Sequence, residues 1–360
     1  MKVKVINLGL PEVIIEFQSK GTSAIQRSGR GVVALILKDS TKVDFHTKIY
    51  KGIEEVSKED FTAKNHDYIA KVFMGVPAKV IIERIAADAA DYNEALQRLK
   101  IKRFNYLAIP GINEADTINV ATWFKGCRNT DKKTFKAVLP NCAGNDEGII
   151  NFTTEDNYDG TTKYSASEYT ARIAGVLAGI PLTRSATYYV LEELESIKES
   201  INPNADIDEG KLILINDGDK IKIGRGVNSL TTTSATKGED FKKIKIVEGM
   251  DLVRDDIRDT FQNQYAGKVI NNYDNKILFL AALNAYFRDF EKSDVLDPNT
   301  DNRAEINIIA QKEYLTVKGV DVLALNDQQI KEYNTGSKVF LSAFAKFVDA
   351  MEDLYFEINI

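Results

Sequence analysis

The two ends of the chain carry the same pattern of alternating apolar and polar residues. Residues 3–8 read VKVINL and residues 355–360 read YFEINI, and neither segment contains proline. Apolar residues on alternate positions are typical of a β-strand with one buried face. Such a strand pairs inside its own subunit or is added to the sheet of a neighbour. The pattern alone favours pairing inside the subunit and leaves the second arrangement open.

Between the ends, apolar runs alternate with segments of helical spacing. Residues 32–37 form a continuous apolar run, which is typical of a strand buried on both faces. Ser165 and Glu168 form a capping box that predicts a helix start, and Gly179 and Pro181 predict its end. The other predicted strands are residues 78–85, 104–111, 134–140 and 149–152, and the other predicted helices are residues 65–73, 91–100 and 113–125. This alternation predicts an α/β fold with a parallel, doubly wound sheet.

After residue 210 the pattern changes. Residues 212–223 predict a β-hairpin, because Asp217-Gly218 is a turn pair in which glycine accepts a positive φ. Two helices, a strand pair and a final helix are predicted next, at residues 242–265, 275–290, 306–310 with 313–325, and 336–351. Three phenylalanines spaced as on one face of the final helix are expected in a core: Phe340, Phe344 and Phe347. These segments predict a separate α+β domain, with its boundary in the polar stretch 202–210.

Composition narrows the class of protein. The chain has 360 residues, of which 44% are hydrophobic and 28% charged, as in ordinary globular proteins with real cores. A net charge of −6 gives no basic surface for nucleic acid, and no apolar run approaches the length that spans a bilayer. The amino terminus lacks the apolar core of a signal peptide, and Cys127 and Cys142 are the only cysteines. We therefore expect synthesis and folding in a reducing cytoplasm.

Residue types that carry catalysis are scarce. His46 and His66 are the only histidines, and we expect them on a surface strand and at the surface of a helix start. No cysteines or histidines have the spacing of a zinc site. Neither a dinucleotide-binding fingerprint, a phosphate loop nor a serine-hydrolase elbow occurs in the sequence. The sequence therefore predicts neither a metal nor a cofactor.

One glycine-rich segment needs its own interpretation. Gly224, Arg225 and Gly226 follow the predicted hairpin, and an extended run rather than a helix comes after them. Without the positive end of a helix dipole, such a loop is more typical of a strained turn than of a phosphate site. We therefore predict a structural turn at Gly224, Arg225, Gly226 and Asn228. An α/β enzyme whose nucleotide-binding motif has diverged is the alternative that the predicted sheet leaves open.

Charged residues cluster on the first long helix of the second domain. Near-helical spacing brings together four acids and two arginines, namely Asp251, Asp255, Asp256, Asp259, Arg254 and Arg258. Paired acids can act in acid–base catalysis. Mixed charges three and four residues apart are more typical of a solvated, salt-bridged helix face. We expect this face to be solvated or to contact another protein, where charge complementarity sets the register.

Three segments, taken in their order and spacing, point to a known family. Residues 167–188 contain an alanine- and glycine-rich helix followed by Pro181 and a polar residue before Ser185. Residues 224–231 read GRGVNSLT, and residues 247–290 contain DIR and AALNAYF. Together they resemble contractile phage tail sheath proteins, with Ser229 where that family usually has threonine. The length resembles the compact form found in Gram-positive myophages and phage-tail-like bacteriocins.

That resemblance implies a structural subunit, not an enzyme, with no cofactor. Sheath proteins polymerise helically around an inner tube, and contraction from a metastable extended state drives the tube through a target cell envelope. The implied partners are copies of this chain, the tail tube protein, and the baseplate and tail terminator proteins. Nucleic acid and membrane are not implied. We expect synthesis in the bacterial host cytoplasm and assembly into a virion tail or a released tail-like particle, with the sheath of a secretion or injection system as the alternative.

The resemblance also implies roles along the chain. Residues 1–20 and 351–360 would be linking arms, residues 21–205 an outer α/β domain, and residues 206–350 an α+β domain facing the tube. The family lends terminal strands to neighbouring sheets, so lending now outweighs pairing inside one subunit. The strand residues expected to link subunits are Val3, Val5, Ile6, Leu8, Phe356, Ile358 and Ile360. The charged residues expected to contact the tube are Arg254, Asp255 and Arg258.

Overall fold

The computed structural model of the protein describes Ile25 and residues 29–359. The predicted strand at residues 3–8 and the terminal Ile360 lie outside the described residues. The strands are, in chain order, β1 Val32–Lys38, β2 Thr47–Tyr50, β3 Lys79–Ile85, β4 Tyr106–Ala108, β5 Lys136–Pro140, β6 Ile149–Phe152, β7 Asn157–Asp159, β8 Thr162–Tyr164, β9 Lys211–Leu212, β10 Leu214–Asn216, β11 Ile221–Ile223, β12 Arg303–Ile306 and β13 Leu341–Phe344. The helices are α1 Ala63–Phe73, α2 Asn93–Lys100, α3 Glu114–Asn129, α4 Ala166–Gly179, α5 Pro203–Asp208, α6 Ile244–Thr260, α7 Tyr273–Lys292, α8 Ile308–Val317 and α9 Asp327–Glu332. A π-helical turn, Phe261–Tyr265, continues α6, and 3-10 turns lie at Ile53–Glu55, Lys58–Asp60, Glu239–Lys242 and Val322–Ala324.

A seven-stranded sheet organises the first part of the chain. Its strand order is β2-β3-β1-β4-β5-β6-β9. The β2–β3 pair is antiparallel, and the other five pairs are parallel. Parallel strands need crossover connections, and helices supply most of them here, as in other α/β folds, whereas residues 141–148 join β5 to β6 without a helix. The prediction of an α/β fold with a mostly parallel sheet is confirmed.

The apolar run at β1 is continuous because both faces of this strand are covered. Val33, Leu35 and Leu37 lie in one hydrophobic cluster with residues of α1 and α4. Val32, Ala34 and Ile36 alternate with them and lie in a second cluster with residues of α2 and α3. Neighbouring side chains of a strand point to opposite faces, so each face of the sheet has its own core. Helices therefore cover both faces of the sheet.

Helices α1 and α4 approach each other closely because glycines line their contact. Ser165 caps α4 in the predicted capping box with Glu168. A Cβ atom on Gly175 would lie 2.2 Å from the carbonyl oxygen of Val72, and one on Gly179 would lie 1.7 Å from that of Gly75. Neither neighbour is a flexible side chain, so the backbone itself would have to move.

We predict that Gly175→Ala lowers the free energy of unfolding by about 1–3 kcal/mol, because the added methyl group forces α4 away from α1. Urea unfolding followed by circular dichroism measures the change. Gly126→Ala in α3 is the matched control, since Gly126 is exposed and no atom lies within 4 Å of its Cβ position. The control should raise stability slightly through its better helix propensity. Equal effects of the two substitutions would contradict close packing at Gly175.

The predicted hairpin after residue 210 is confirmed. Strands β10 and β11 pair antiparallel, and Gly218 has a φ of +99° in the turn. Strand β9, just before the hairpin, pairs with β6 in the main sheet. Leu214 of β10 and Ile223 of β11 are fully buried in the same hydrophobic cluster as α1 and α4. This cluster therefore extends beyond residue 206, where we expect the second domain to begin.

A third hydrophobic cluster lies in the carboxyl-terminal half. Helices α6 and α7 form at the two predicted long helices, and α7 contributes most of this cluster. Its buried side chains are Leu252, Phe279, Leu280, Leu283, Tyr286, Phe287, Phe290, Val295, Leu296, Ala304 and Ile306. The two-stranded sheet of β12 and β13 lies against it through Ala304 and Ile306.

The predicted strand pair at residues 306–310 and 313–325 is wrong. Residues 308–317 form α8, and the strand β12 ends at Ile306. The β-branched, apolar composition of this stretch favours a strand. However, the side chain of Asn307 accepts a hydrogen bond from the backbone N–H of Ala310 at 2.9 Å, which caps the helix. Asn307 is therefore the signal in the sequence that identifies α8.

The predicted final helix at residues 336–351 is also wrong. Residues 341–344 form β13 instead, paired antiparallel with β12, and the chain is extended beyond it. Phe347 packs against Gly249 of α6, whereas Phe344 is 58% exposed, so the phenylalanines do not share one core face. Their spacing fits a helix locally, but pairing with β12 decides the conformation.

Candidate assembly site: the carboxyl-terminal arm and its anchor

The chain that follows β13 runs along the carboxyl-terminal half as an extended segment. The backbone N–H of Lys346 donates to the side chain of Asn302 at 2.8 Å. The backbone N–H of Val348 donates to the carbonyl of Val295 at 3.0 Å. Among the described residues, this is the last backbone-to-backbone hydrogen bond before the carboxyl terminus. The side chain of Lys245 donates to the carbonyl of Val348 and closes this part of the path.

One carboxylate attaches the segment again, four residues further on. The hydroxyls of Ser185 and Thr187 donate to Oε1 of Glu352 at 2.9 and 2.5 Å. Lys243 forms an ion pair with Oε2, and Nε of Arg225 lies 3.7 Å from the same oxygen. Burial by itself raises the pKa of Glu352, but the hydrogen bonds from Lys243, Thr187 and Ser185 outweigh it and lower that pKa. We call these four residues around Glu352 the anchor socket.

The predicted structural turn forms one wall of the anchor socket. Arg225 also pairs with Asp353, and the backbone N–H of Gly226 donates to the Thr187 hydroxyl at 2.9 Å. Asn228 is fully buried and donates to the carbonyl of Phe241 at 2.7 Å. The N–H of Gly224 donates to the carbonyl of Ile213 at 2.9 Å, which ties the turn to the hairpin.

Beyond the anchor socket the chain is exposed. We call residues 353–360 the terminal arm. The apolar side chains of its described residues, 353–359, lie almost entirely in solvent, with exposed fractions of 87% for Leu354, 94% for Tyr355, 77% for Phe356 and 70% for Ile358. None of the described residues pairs with it as a strand, so the pairing inside one subunit that the pattern alone favours is not found there. The role of Phe356, Ile358 and Ile360 in linking subunits stays a prediction.

Three of the four acids singled out on α6 are buried, so the predicted solvated helix face is wrong for Asp251, Asp256 and Asp259. Asp251 is 5% exposed and accepts hydrogen bonds from Arg128 at 2.9 Å and from Lys136 at 3.1 Å. Asp256 is fully buried and accepts a hydrogen bond from the Tyr286 hydroxyl at 2.5 Å. These acids face the protein interior because cations and hydroxyl groups on other elements meet them there.

A further acid of α6, Glu248, is buried next to Asp251 and shares the cation Lys136 with it. Glu248 accepts a hydrogen bond from the Tyr106 hydroxyl at 2.8 Å and pairs with Lys136 at 2.8 Å and with Arg30 at 3.3 Å. Burial raises the pKa of Glu248, but Lys136 and Arg30 outweigh it and lower that pKa. We call Glu248 and Asp251, with the cations that meet them, the charged joint. It connects α6 to β4, β5 and α3.

The three residues expected to contact a tube differ in how accessible they are. Asp255 accepts a hydrogen bond from the Thr134 hydroxyl at 2.6 Å, and burial raises its pKa. Arg258 pairs with Asp255 and, at 3.5 Å, with Asp259. Arg254 is exposed. Contact between these residues and a tube stays a prediction, and Arg254 is the most accessible of the three.

Sequence reasoning missed the residues that hold the arm. Glu352 lies 167 positions from Ser185 in the chain, and no local pattern connects them. The only signal is indirect, because Ser185 and Arg225 fall inside the two short segments that carry the family resemblance. Glu248 stands on the same helix as the predicted acidic cluster but was not singled out.

The carboxyl edge of the main sheet, where α/β enzymes bind their ligands, holds an open cavity of about 480 Å³. Asp39, Asp91 and Glu94 line it. Asp39 is already engaged, since it accepts hydrogen bonds from the backbone of Thr62 at 2.9 Å and from the Asn65 side chain at 2.7 Å. Arg84 also lines the cavity, but its guanidinium lies 3.8 Å from the centroid of the Phe45 ring and donates to the carbonyl of Asp60 at 3.1 Å. With that cation engaged, three carboxylates around one cavity repel a phosphate group, so this geometry does not favour the nucleotide-binding alternative.

Within the described residues, no histidines, cysteines and carboxylates are grouped so as to hold a metal ion. The same part of the chain contains no helix of the length and apolarity that crossing a membrane requires.

We predict that Lys136→Met lowers the free energy of unfolding by about 3–5 kcal/mol, because it leaves Glu248 and Asp251 short of a buried cation. Thermal unfolding measures the loss. Lys292→Met is the control, since Lys292 and its ion-pair neighbour Asp289 are 76% and 63% exposed. Its effect should stay below about 1 kcal/mol, as for other surface pairs. A loss equally small for Lys136→Met would show that the charged joint is dispensable.

Comparison with known proteins decides the family. The profile of the phage tail sheath protein central domain matches residues 86–229, and that of the phage tail sheath C-terminal domain matches residues 236–360. The tail sheath protein of Clostridium phage phiCD119 is 40% identical over 367 residues, which cover 98% of this chain and 99% of that protein. The chain belongs to the phage tail sheath family. The resemblance found in the sequence is thereby confirmed.

Solved structures of sheath proteins have the same fold. The sheath tail protein from Desulfitobacterium hafniense matches with a TM-score of 0.68 at 17% identity, covering 82% of this chain and 94% of that one. The helical sheath of the anti-feeding prophage in its contracted state matches with a TM-score of 0.69 at 12% identity, covering 98% and 99%. At such identities the likeness shows a shared fold. The sheath fold thus spans this chain from the main sheet to the terminal arm.

Proposed function

We propose that this chain is the subunit of a contractile tail sheath, which polymerises helically around an inner tube. The observation that carries the proposal is the terminal arm, an apolar segment without regular secondary structure that is exposed beyond Glu352. The full-length likeness to a Clostridium phage tail sheath protein supports a phage tail or tail-like particle over a secretion system. The chain would be made in a bacterial cytoplasm and assembled there into the tail.

The terminal arm would be added as a strand to the sheet of a neighbouring subunit. A strand of this length forms about four to six backbone hydrogen bonds, each worth about 1 kcal/mol net. Burial of the apolar side chains of Phe356, Ile358 and Ile360 would strengthen the link. Residues 1–20, with Val3, Val5, Ile6 and Leu8, would form the corresponding arm at the other end.

The small sheet of β12 and β13 offers one edge for such a strand. On β12, the backbone N–H of Ala304 donates to the side-chain oxygen of Asn284 at 2.7 Å, and the Asn284 amide donates back to the carbonyl of Ala304 at 3.3 Å. The side chain of Asn284 thus occupies the outer edge of β12 as an added strand would. This contact argues against strand addition at β12.

The part of the chain that the structure describes shows no side chain that covers the outer edge of β13 as Asn284 covers that of β12. The N–H of Asn307 donates to the carbonyl of Phe340 at 3.0 Å, so these two residues form a hydrogen-bonded pair. In an antiparallel pair of strands, residues whose backbone groups bond to the partner strand alternate with residues whose backbone groups point outward. By that alternation the backbone groups of Leu341 and Ala343 face away from β12. Among the described residues, no strand pairs with this side of β13. We therefore place the acceptor for a neighbour's arm at β13.

Linked in this way, the subunits form a head-to-tail contact that does not close on itself, and such contacts generate helical filaments. The arms would hold neighbours together while the subunits rotate from the extended to the contracted packing. The extended state would be held by a kinetic barrier. A modest release of free energy per subunit during contraction, summed over the array, would drive the tube through the target envelope. Residues 21–205 would lie outside and residues 206–350 would face the tube, with Arg254 as a contact. Baseplate and terminator proteins would bind the two ends of the array.

We predict that deletion of residues 355–360 leaves a folded subunit that forms no long polymers, because the deletion removes most of the terminal arm. Circular dichroism tests the fold, and negative-stain electron microscopy tests assembly in the presence of the tube protein. Full-length chain under the same conditions is the control. Normal sheaths from the shortened chain would contradict strand lending by the carboxyl terminus.

We predict that Ala343→Pro also prevents long polymers, because proline removes one outward N–H from the edge of β13 without breaking its pairing with β12. Ala343→Ser keeps that N–H and is the matched control, which should assemble as the unaltered chain does. The same microscopy assay decides between them. Sheaths of ordinary length from Ala343→Pro would move the acceptor away from β13.

A further inference from the structure

The attachment of the terminal arm has two successive fixed points of different kinds. The first is Val348, which is held by a backbone hydrogen bond to Val295 and by Lys245. The second is Glu352, which is held in the anchor socket by its side chain alone, although that side chain is only 4% exposed. Between them, Met351 is fully exposed, and Asp349 lies 3.5 Å from Lys243.

We propose that Glu352 is a releasable latch that sets the reach of the terminal arm. This inference rests on the proposed function only for what the arm links. With the latch closed, the eight residues 353–360 are free to extend, and at about 3.3 Å per residue they reach about 26 Å from Glu352. With the latch open, residues 349–352 are added to the free length. The free length of the chain, counted from Val348, then grows by about 13 Å.

The chemistry of the anchor socket suits a latch better than a permanent joint. One carboxylate makes every contact between Glu352 and the socket, and two hydroxyls, one ammonium and one guanidinium receive it. Lys243 and Arg225 are 23% and 30% exposed, whereas Lys136 and Arg128 of the charged joint are 1% and 5% exposed, so water can replace the contacts of the socket when the carboxylate leaves. A backbone pairing such as that of Val348 has no comparable single point of release. Release of the carboxylate therefore supplies about 13 Å of additional chain, and neighbouring subunits could change their packing and stay linked by the same arm.

Release can be measured directly on the full-length chain. Nitroxide labels at Met351→Cys and Ile118→Cys occupy exposed positions, while the native Cys127 and Cys142 are buried. Pulsed electron paramagnetic resonance, with labelled chain diluted in unlabelled chain, gives the distribution of distances between the two labels. We expect a narrow distribution for the unaltered chain and one at least twice as broad for Glu352→Gln. Glu357→Gln, which removes the same charge outside the socket, should leave the distribution narrow, and equal widths in all three would overturn the latch.

A rescue experiment tests the reach. Deletion of Asp353 and Leu354 shortens the arm by about 7 Å and keeps the alternation of its side chains. We expect this deletion to abolish long polymers. Adding Glu352→Gln should restore them, because the opened latch supplies about 13 Å. Adding Asp289→Asn to the deletion removes an exposed charge outside the arm and the anchor socket and should restore nothing, and neither should adding Glu357→Gln.

Two outcomes of the rescue experiment overturn the latch. Long polymers from the deletion alone would show that reach is not limiting. Failure of Glu352→Gln to restore assembly, while the full-length chain assembles, would show that the anchor does not hold the arm back. If the full-length chain forms no polymer even with its tube protein, the proposed function fails instead. In that case the distance distributions still decide whether Glu352 is a latch.

Discussion

The buried ion pairs between α6 and the central sheet determine where the carboxyl-terminal half of this molecule lies. Glu248 and Asp251 enter the interior as carboxylates, and the loss of their hydration costs several kcal/mol for each ion. Lys136 and Arg128, which are 1% and 5% exposed, offset that cost at hydrogen-bond distance. An apolar contact tolerates sliding, but here a small displacement leaves a buried charge unpaired. The charged joint therefore permits one register of α6 on the sheet.

The same register places the anchor socket. Lys243 is the residue that precedes the first turn of α6, and its ammonium group meets Glu352. Ser185 and Thr187 follow α4, which is packed against α1 through glycines. Because the joint and the helix packing fix both walls of the socket, the terminal arm leaves the subunit at a defined place. The proposed addition of this arm to a neighbouring subunit needs such a defined point of departure.

A lone subunit of this protein is incomplete in a particular way. The terminal arm exposes apolar side chains, and the outer edge of β13 leaves backbone groups of Leu341 and Ala343 facing outward. Each is a liability for a monomer, since exposed edges and apolar segments promote association. Proteins usually block such edges, and Asn284 does so at β12. The unblocked edge at β13 and the free arm are the two features that the proposed polymer of this chain requires.

Several elements could be predicted because their signals are local. The apolar run at residues 32–37, the capping box at Ser165 and the Asp-Gly turn at Gly218 each depend on a few neighbouring residues, and each forms as predicted. The final segment was predicted as a helix because its phenylalanines have helical spacing. Spacing describes one element only, whereas β13 exists because β12 pairs with it from 35 positions away in the chain. A local sequence pattern carries no information about a pairing partner so far away in the chain.

The sequence by itself determined the class of the fold, the family and the apolar character of the terminal arm, because composition, periodicity and short segments carry that information. Only the tertiary structure decided which way the acids of α6 point, since burial depends on Arg128 and Lys136, more than 100 positions away. The same holds for Glu352, whose meaning comes from Ser185, Thr187 and Lys243. A carboxylate is solvated or buried according to which cations fold next to it, and that proximity is a property of the folded chain.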